Sequence, residues 1–247
     1  MKASPEAQRR LLELAEIDAE LTRLEHRRRS LPEHEEISTL EQRDRELRDQ
    51  LAVLEARAGD LKREQAKAEA DVEQVRTRID RDRDRLDAGQ VSSPRELENL
   101  QSEVESLHRR QSDLEEIVLD VMERQEAAQG QQEAARAERT SIGTDLATLT
   151  ARRDAALAEI GEQAGKAADR RTAVVADEPG DLIDLYERLR GQHGGVGAAA
   201  LRRGRCEGCH LSLNTVDLND IRAAAPDEVL RCEECRRILV RTDESGL

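Results

Sequence analysis

The sequence contains neither Phe nor Trp, and Tyr186 is the single aromatic residue among 247. Aromatic side chains supply much of the buried area in an ordinary globular core, so their near absence argues against a compact α/β enzyme. Proline is sparse: Pro5, Pro32, Pro94, Pro179 and Pro226 are all there are, and residues 33–93 and 95–178 contain none. No stretch approaches the roughly 18 apolar residues of a membrane-spanning helix, and Met1 to Gln8 carry no apolar signal core. A cytoplasmic location is therefore expected, with no membrane partner. Cysteine is limited to four residues. In a reducing compartment these favour metal or redox chemistry over structural disulfides. Basic residues number 40 against 54 acidic ones, for a net charge of −14. Such a chain lacks the phosphate-neutralising coat that gives general nucleic-acid affinity, although a local basic site is compatible with it.

What is present is charge and periodicity. Charged residues make up 38% of the chain, and an Ala/Glu/Leu/Arg-rich composition is typical of long helices and coiled coils. One stripe alternates steps of three and four from Ile37 through Leu40, Asp44, Leu47, Leu51 and Leu54 to Leu86. A second runs from Leu97 through Leu100, Val104 and Leu107 to Ile160, again without a slip. That spacing keeps one seam facing a partner helix. Between the stripes, Gly89 is placed to end the first helix. Ser93, Pro94 and Glu96 supply an N-cap, a first helical residue and a capping-box partner. A short connection between long helices predicts an antiparallel hairpin with its tip near 87–94. Upstream, Leu14, Ile17, Leu21, Leu24 and Leu31 run out of phase with the first stripe, which predicts a kink at Ser30-Leu31-Pro32. Helix 1 is expected over about 5–87 and helix 2 over about 94–172, each arm roughly 110–130 Å long. Setting Leu86 opposite Leu97 brings Asp44 opposite Arg139, a predicted register-fixing ion pair. The stretch Gln125–Arg139 has a thin seam and should be the softest part of the coil. His26, His34 and His108 have no i,i+4 histidine partner and read as surface residues.

Composition shifts after about residue 173 and Asp177-Glu178-Pro179-Gly180 is a break, which divides the chain into a coiled-coil hairpin (1–176) and a second region (177–247). The second region opens with an amphipathic segment, Asp181–Arg190, carrying Leu182, Leu185, Tyr186 and Leu189, followed by a Gly-rich linker. Then come Cys206-Glu207-Gly208-Cys209 and Cys232-Glu233-Glu234-Cys235. Two C-x₂-C knuckles offer four thiolates and close a tetrahedron around one Zn²⁺, leaving no open coordination position. Such a site is structural rather than catalytic, and metal binding can supply on the order of 10 kcal/mol to a segment too small to fold alone. Iron is the less favoured alternative. His210 follows Cys209, but four thiolates already fill the site. Short strands at 196–201, 211–213, 229–231 and 238–240, with a helix over 217–225, complete a zinc ribbon. The fold class expected is mainly α: a long antiparallel helical hairpin plus a small zinc-ribbon domain with short β-strands.

These features resemble the bacterial family of coiled-coil proteins with a C-terminal C4-type zinc ribbon, which includes a flagellar regulator and a chlamydial protein linked to type III secretion. The resemblance rests on the segment from Ser93 to Glu103 that opens helix 2, on Leu185-Tyr186-Glu187-Arg188-Leu189-Arg190, and on both cysteine pairs with Arg237-Ile238-Leu239-Val240. Two residues depart from the family pattern: Arg236, where Gly is usual, and Leu97, where an aromatic is common. The resemblance implies chaperoning or tethering of protein partners, among them an alternative sigma factor and secretion components, and RNA binding in some members.

The expected function is thus non-enzymatic: an adaptor or regulator that engages protein partners through coiled coil and ribbon, with no small-molecule substrate. The alternative is a regulator that binds RNA or DNA through the ribbon, where Arg202, Arg203, Arg205, Arg236 and Arg237 are the candidate contacts, with Arg231 and Arg241 nearby. Glu207, Glu233, Glu234, Asp243 and Glu244 interleave with these arginines, and no aromatic platform for base stacking accompanies them.

Overall fold

A computed structural model of the chain describes residues 1–91 and 93–247. Its elements are α1 (Pro5–Arg29), α2 (Pro32–Asp87), α3 (Pro94–Ala176), α4 (Gly180–Gln192), β1 (Ala198–Arg202), β2 (Arg205–Cys206), α5 (Thr215–Ala223), β3 (Leu230–Arg231) and β4 (Ile238–Val240). They fall into two compact units. One comprises Glu36–Leu149; the other joins Met1–Glu35 to Thr150–Leu247. No helix among the described residues is long and apolar enough to cross a membrane. The division expected at 176/177 follows composition. The compact units cut elsewhere because α1 and the end of α3 share a core with the ribbon.

The unit 36–149 is an antiparallel pair of helices built on the two stripes. Leu47, Leu51, Leu54, Leu61, Ala68, Val72 and Ile79 of α2 are buried, as are Leu100, Val104, Leu114, Val121, Ala128, Ala135 and Ile142 of α3. The register follows the heptads: Arg139 Nε donates to Asp44 Oδ1 at 2.8 Å, and Arg48 also pairs with Asp44. The thin stretch of seam is bridged rather than bare. Gln125 Nε2 donates to the Leu61 carbonyl at 3.1 Å and Gln132 Nε2 to the Leu54 carbonyl at 3.0 Å. These amides cross to backbone where an apolar side chain would otherwise be needed. At the tip, α2 ends in a Schellman arrangement. Gly89 adopts φ +65°, its N–H reaches Leu86 O, and Gln90 N–H reaches Arg85 O. Ser93 Oγ accepts from Glu96 N–H at 3.1 Å, as the capping pattern predicts. Ser92 lies outside the described residues. The seam opens near the tip: Leu97 is 41% exposed rather than buried against Leu86, and Leu100 is the first buried residue of α3.

In the other unit the predicted kink is a full break. Ser30 N–H closes on His26 O, and Pro32, which has no N–H to give, starts a new helix. Leu24 and Leu31 pack on Ile160 of α3. Further on, Leu11 and Leu14 of α1 share a core with Leu182, Tyr186 and Leu189 of α4 and with Ala198, Ile238 and Val240 of the sheet. At its centre Asp18, with a fully buried side chain, accepts from Tyr186 Oη at 2.7 Å and from Arg171 Nε at 2.8 Å. Arg190 Nε lies 3.2 Å from the same carboxylate without hydrogen-bond alignment. Burial, then the bond to Asp18, pushes the Tyr186 phenol upward. Burial also pushes Glu187 up, but hydrogen bonds from Arg171 and Arg190 outweigh it and hold this carboxyl below its ordinary value. Gly197 passes so close to Tyr186 that a Cβ would lie 2.4 Å from its carbonyl oxygen, which is why the linker runs through glycine here.

The sheet order is β2-β1-β4-β3. β1 and β4 run parallel, pairing Ala198 with Ile238, and the outer pairs are antiparallel. Residues 211–213 contribute one bridge, Arg205 to Ser212, rather than a strand. The start of the chain is tied to the same region: Ala3 N–H donates to Asp227 O and Val229 N–H to Met1 O.

Candidate metal centre

The two knuckles are built alike. In each, the first cysteine N–H bonds the carbonyl five residues on (Cys206 to Leu211, Cys232 to Arg237), and its own carbonyl accepts from the residue four on (His210 and Arg236). Closing the turn this way puts that residue in the left-handed region. His210 has φ +61° and Arg236 φ +60°. Arg236, the departure from the usual glycine, thus takes the glycine conformation at a cost of roughly 1–2 kcal/mol.

The knuckles face each other, and their cysteines pack in one small apolar cluster with Ala199, Leu201, Leu213, Ile221 and Leu239. Cys206 and Cys232 are fully buried, and Cys209 and Cys235 half-buried. The four Sγ atoms lie within 4.8 Å of one another. Cys206 Sγ is 3.9 Å from Cys235 Sγ, and Cys209 Sγ is 3.9 Å from Cys232 Sγ. Sulfurs at the corners of a tetrahedron with Zn–S bonds of about 2.3 Å stand roughly 3.8 Å apart, whereas a disulfide needs about 2.05 Å. The donor set therefore fits one structural Zn²⁺. Burial pushes the Cys206 thiol up to about 12, against N–H groups of Cys209 and Gly208 that favour the thiolate. Burial likewise raises Cys232. At Cys235, burial is outweighed by hydrogen bonds, that from the Arg237 N–H foremost, and the thiol is lowered. A divalent cation supplies the charge that stabilises four thiolates here. His210 is exposed and outside the cluster.

The candidate contact arginines divide. Arg202 pairs with Glu244 at 2.6 Å and Arg236 with Glu233 at 3.1 Å. Arg237 is a structural strut. Its guanidinium donates to the carbonyls of Val196, Gly208 and His193 at 3.0, 3.1 and 2.8 Å, so it is not placed for an outside ligand. Arg241 similarly caps α5 through the carbonyls of Ile221, Ala224 and Ala225, and Arg231 bonds the Arg236 carbonyl. Sequence spacing gave no sign of these roles, because each carbonyl is distant along the chain or lies in a turn. Arg203 and Arg205 are exposed on the β1–β2 hairpin. Arg203 and Gly204 form its two-residue loop with φ +48° and +73°, the double left-handed loop that suits a tight hairpin.

Residues 14–194 match the CT398-like coiled coil hairpin domain, and residues 205–239 match the C4-type zinc ribbon domain. A Mycobacterium tuberculosis protein is 40% identical over 243 residues, covering 98% of both chains. A solved structure from Mycobacterium smegmatis is 38% identical, covers 98% of this chain and all of that one, and superposes with a TM-score of 0.83. The structure of CT398 from Chlamydia trachomatis shares the fold at 20% identity, with a TM-score of 0.72 over 96% of this chain and 98% of that one. With its hairpin and its four-cysteine ribbon both matched, the chain belongs to the CT398-like coiled-coil hairpin family and carries a C4-type zinc ribbon.

Proposed function

We propose that the protein is a non-enzymatic adaptor or regulator that engages protein partners, with zinc serving to hold the ribbon in shape. The observation that supports protein over nucleic-acid partners is the commitment of the ribbon arginines. Arg202 and Arg236 face carboxylates, and Arg231, Arg237 and Arg241 bond the chain's own carbonyls. Five guanidiniums beside the knuckles are thus engaged within the chain. A zinc site closed by four thiolates has no position for a substrate.

A second reading, nucleic-acid binding, is favoured by Arg203 and Arg205. A non-glycine residue held in a left-handed loop is costly and is often kept for use, and both side chains are exposed. Ultraviolet crosslinking in cells, followed by stringent purification of the zinc-loaded protein, separates the readings. The adaptor reading expects no nucleic acid above background, and expects protein species that co-purify reproducibly after chemical crosslinking. RNA or DNA on the wild type that disappears in Arg203→Glu/Arg205→Glu would replace it with the second reading.

A further inference from the structure

We infer that the middle of the 36–149 unit carries a docking groove for a basic amphipathic helix. This deepens the adaptor reading and rests on it. Among the described residues, three of the nine large hydrophobic side chains that remain exposed fall within six residues of α3: Ile117, Leu119 and Met122, at 46%, 61% and 47% exposure. At about 100° per residue, the apolar positions of this segment, from Ile117 past Leu114 and Val121 to Leu119, span an arc of roughly 200°. A seam against one partner helix uses about half of that. Leu114 and Val121 are buried in the seam. Leu119 and Met122 lie beyond it, and α2 does not cover them.

Beside them is a groove between α2 and α3, lined by Val72, Val118 and Leu119 with Glu69, Glu73, Arg76 and Glu115. Its one cation is already engaged, since Arg76 bonds Glu115 at 2.6 Å. Glu69 and Glu73 leave the wall negative. The residues one turn from Leu119 on either side are Glu115 and Glu123, and Glu126 lies one turn beyond Met122. The surface is therefore apolar with an acidic rim. A second copy would bring like charges together at that rim. The complementary occupant is a helix whose apolar residues recur at three- and four-residue spacing, with Lys or Arg beside them. Met122, unbranched and polarizable, suits a contact that must adapt to its partner.

The test uses the full-length zinc-loaded protein and three labelled helical peptides of equal length. One carries a leucine stripe flanked by Lys and Arg, one the same stripe flanked by Glu, and one the basic flanks with serine in the stripe. Fluorescence anisotropy should show binding of the first alone. Leu119→Ser/Met122→Ser should weaken it at least tenfold, and Glu69→Lys/Glu73→Lys should weaken it and flatten its salt dependence. These side chains are exposed, so the variants should keep wild-type helicity and melting. Equal binding of all three peptides, or undiminished binding by the serine variant, overturns the proposal. So does a concentration-dependent dimer in sedimentation that the serine variant abolishes, since a second copy is then the occupant. The adaptor reading fails separately. If the serine variant still captures every protein species crosslinked to the wild type, the groove is wrong and the adaptor stands; if the wild type captures none, the adaptor itself is wrong.

Discussion

Replacing Asp18 with Asn should loosen the unit that contains the ribbon and leave the other unit intact. The carboxylate is fully buried and accepts from Tyr186 and Arg171, with Arg190 beside it. Asparagine keeps the shape and removes the charge, so two guanidiniums face an amide that offers donors of its own. Breaking a buried pair by removing one partner costs about 3–5 kcal/mol. The arginines here are 22% and 35% exposed and both retain Glu187, which brings the expected loss to about 2–4 kcal/mol. At about 4 °C per kcal/mol for a domain of this size, the transition should fall by roughly 8–16 °C. The assay is built into the sequence. Tyr186 is the only aromatic residue, so tyrosine fluorescence reports this unit alone, while far-ultraviolet circular dichroism reports all the helices. The fluorescence transition should move and the main loss of helicity should not. A shift under about 2 °C, with the tyrosine signal unchanged, would refute Asp18 as the centre of this core.

Other outcomes follow from the same contacts. Removing zinc by chelation, or making Cys232→Ser, should expose the small cluster around the knuckles. Residues 1–3 should then become protease-sensitive, because they pair with residues 227–229, while most helicity persists; a collapse of helicity would contradict the two-unit description. Arg236→Gly should raise the melting temperature of the ribbon by relieving about 1 kcal/mol of left-handed strain, measurable by calorimetry on the zinc-loaded protein; a lower value would show that the side chain does more than pair with Glu233. Glu187 is held below its ordinary 4.5, so its contribution is complete above that pH and lost as pH falls through the lower folded value. Tyr186 is raised above its ordinary 10.0, so its contribution is complete below pH 10 and lost at higher pH. Tyrosinate absorbance should therefore appear together with alkaline unfolding, and a phenol that titrates normally in the folded protein would contradict its burial.

Much of this was legible from residue spacing. Two stripes and a capping pattern suffice to align Asp44 with Arg139, because heptad register is arithmetic once the loop is fixed. The knuckles were legible because metal ligation demands four soft donors at short spacing. Asp18 was not. It adjoins Ile17 in a segment that reads as one more turn of coil, and its partner Tyr186 lies 168 residues away. The one clue was phase: the leucines of α1 run out of step with the later stripe, and Leu14 among them faces the core around Tyr186. The strut roles of Arg237 and Arg241 were hidden for a related reason. Their acceptors are backbone carbonyls, which every residue has and no sequence pattern marks.

The pairing of Met1 and Ala3 with residues 227–229 also bears on how the chain comes into being. The 36–149 unit is one continuous stretch, and its partners are complete once those residues have left the ribosome. The unit that holds the ribbon is assembled from segments more than two hundred residues apart. Leu11 and Leu14 of α1 are made before the whole 36–149 unit, and the strands that cover them only after it. During that interval an apolar face stands open on a tethered helix, and a cell making this protein has reason to guard it.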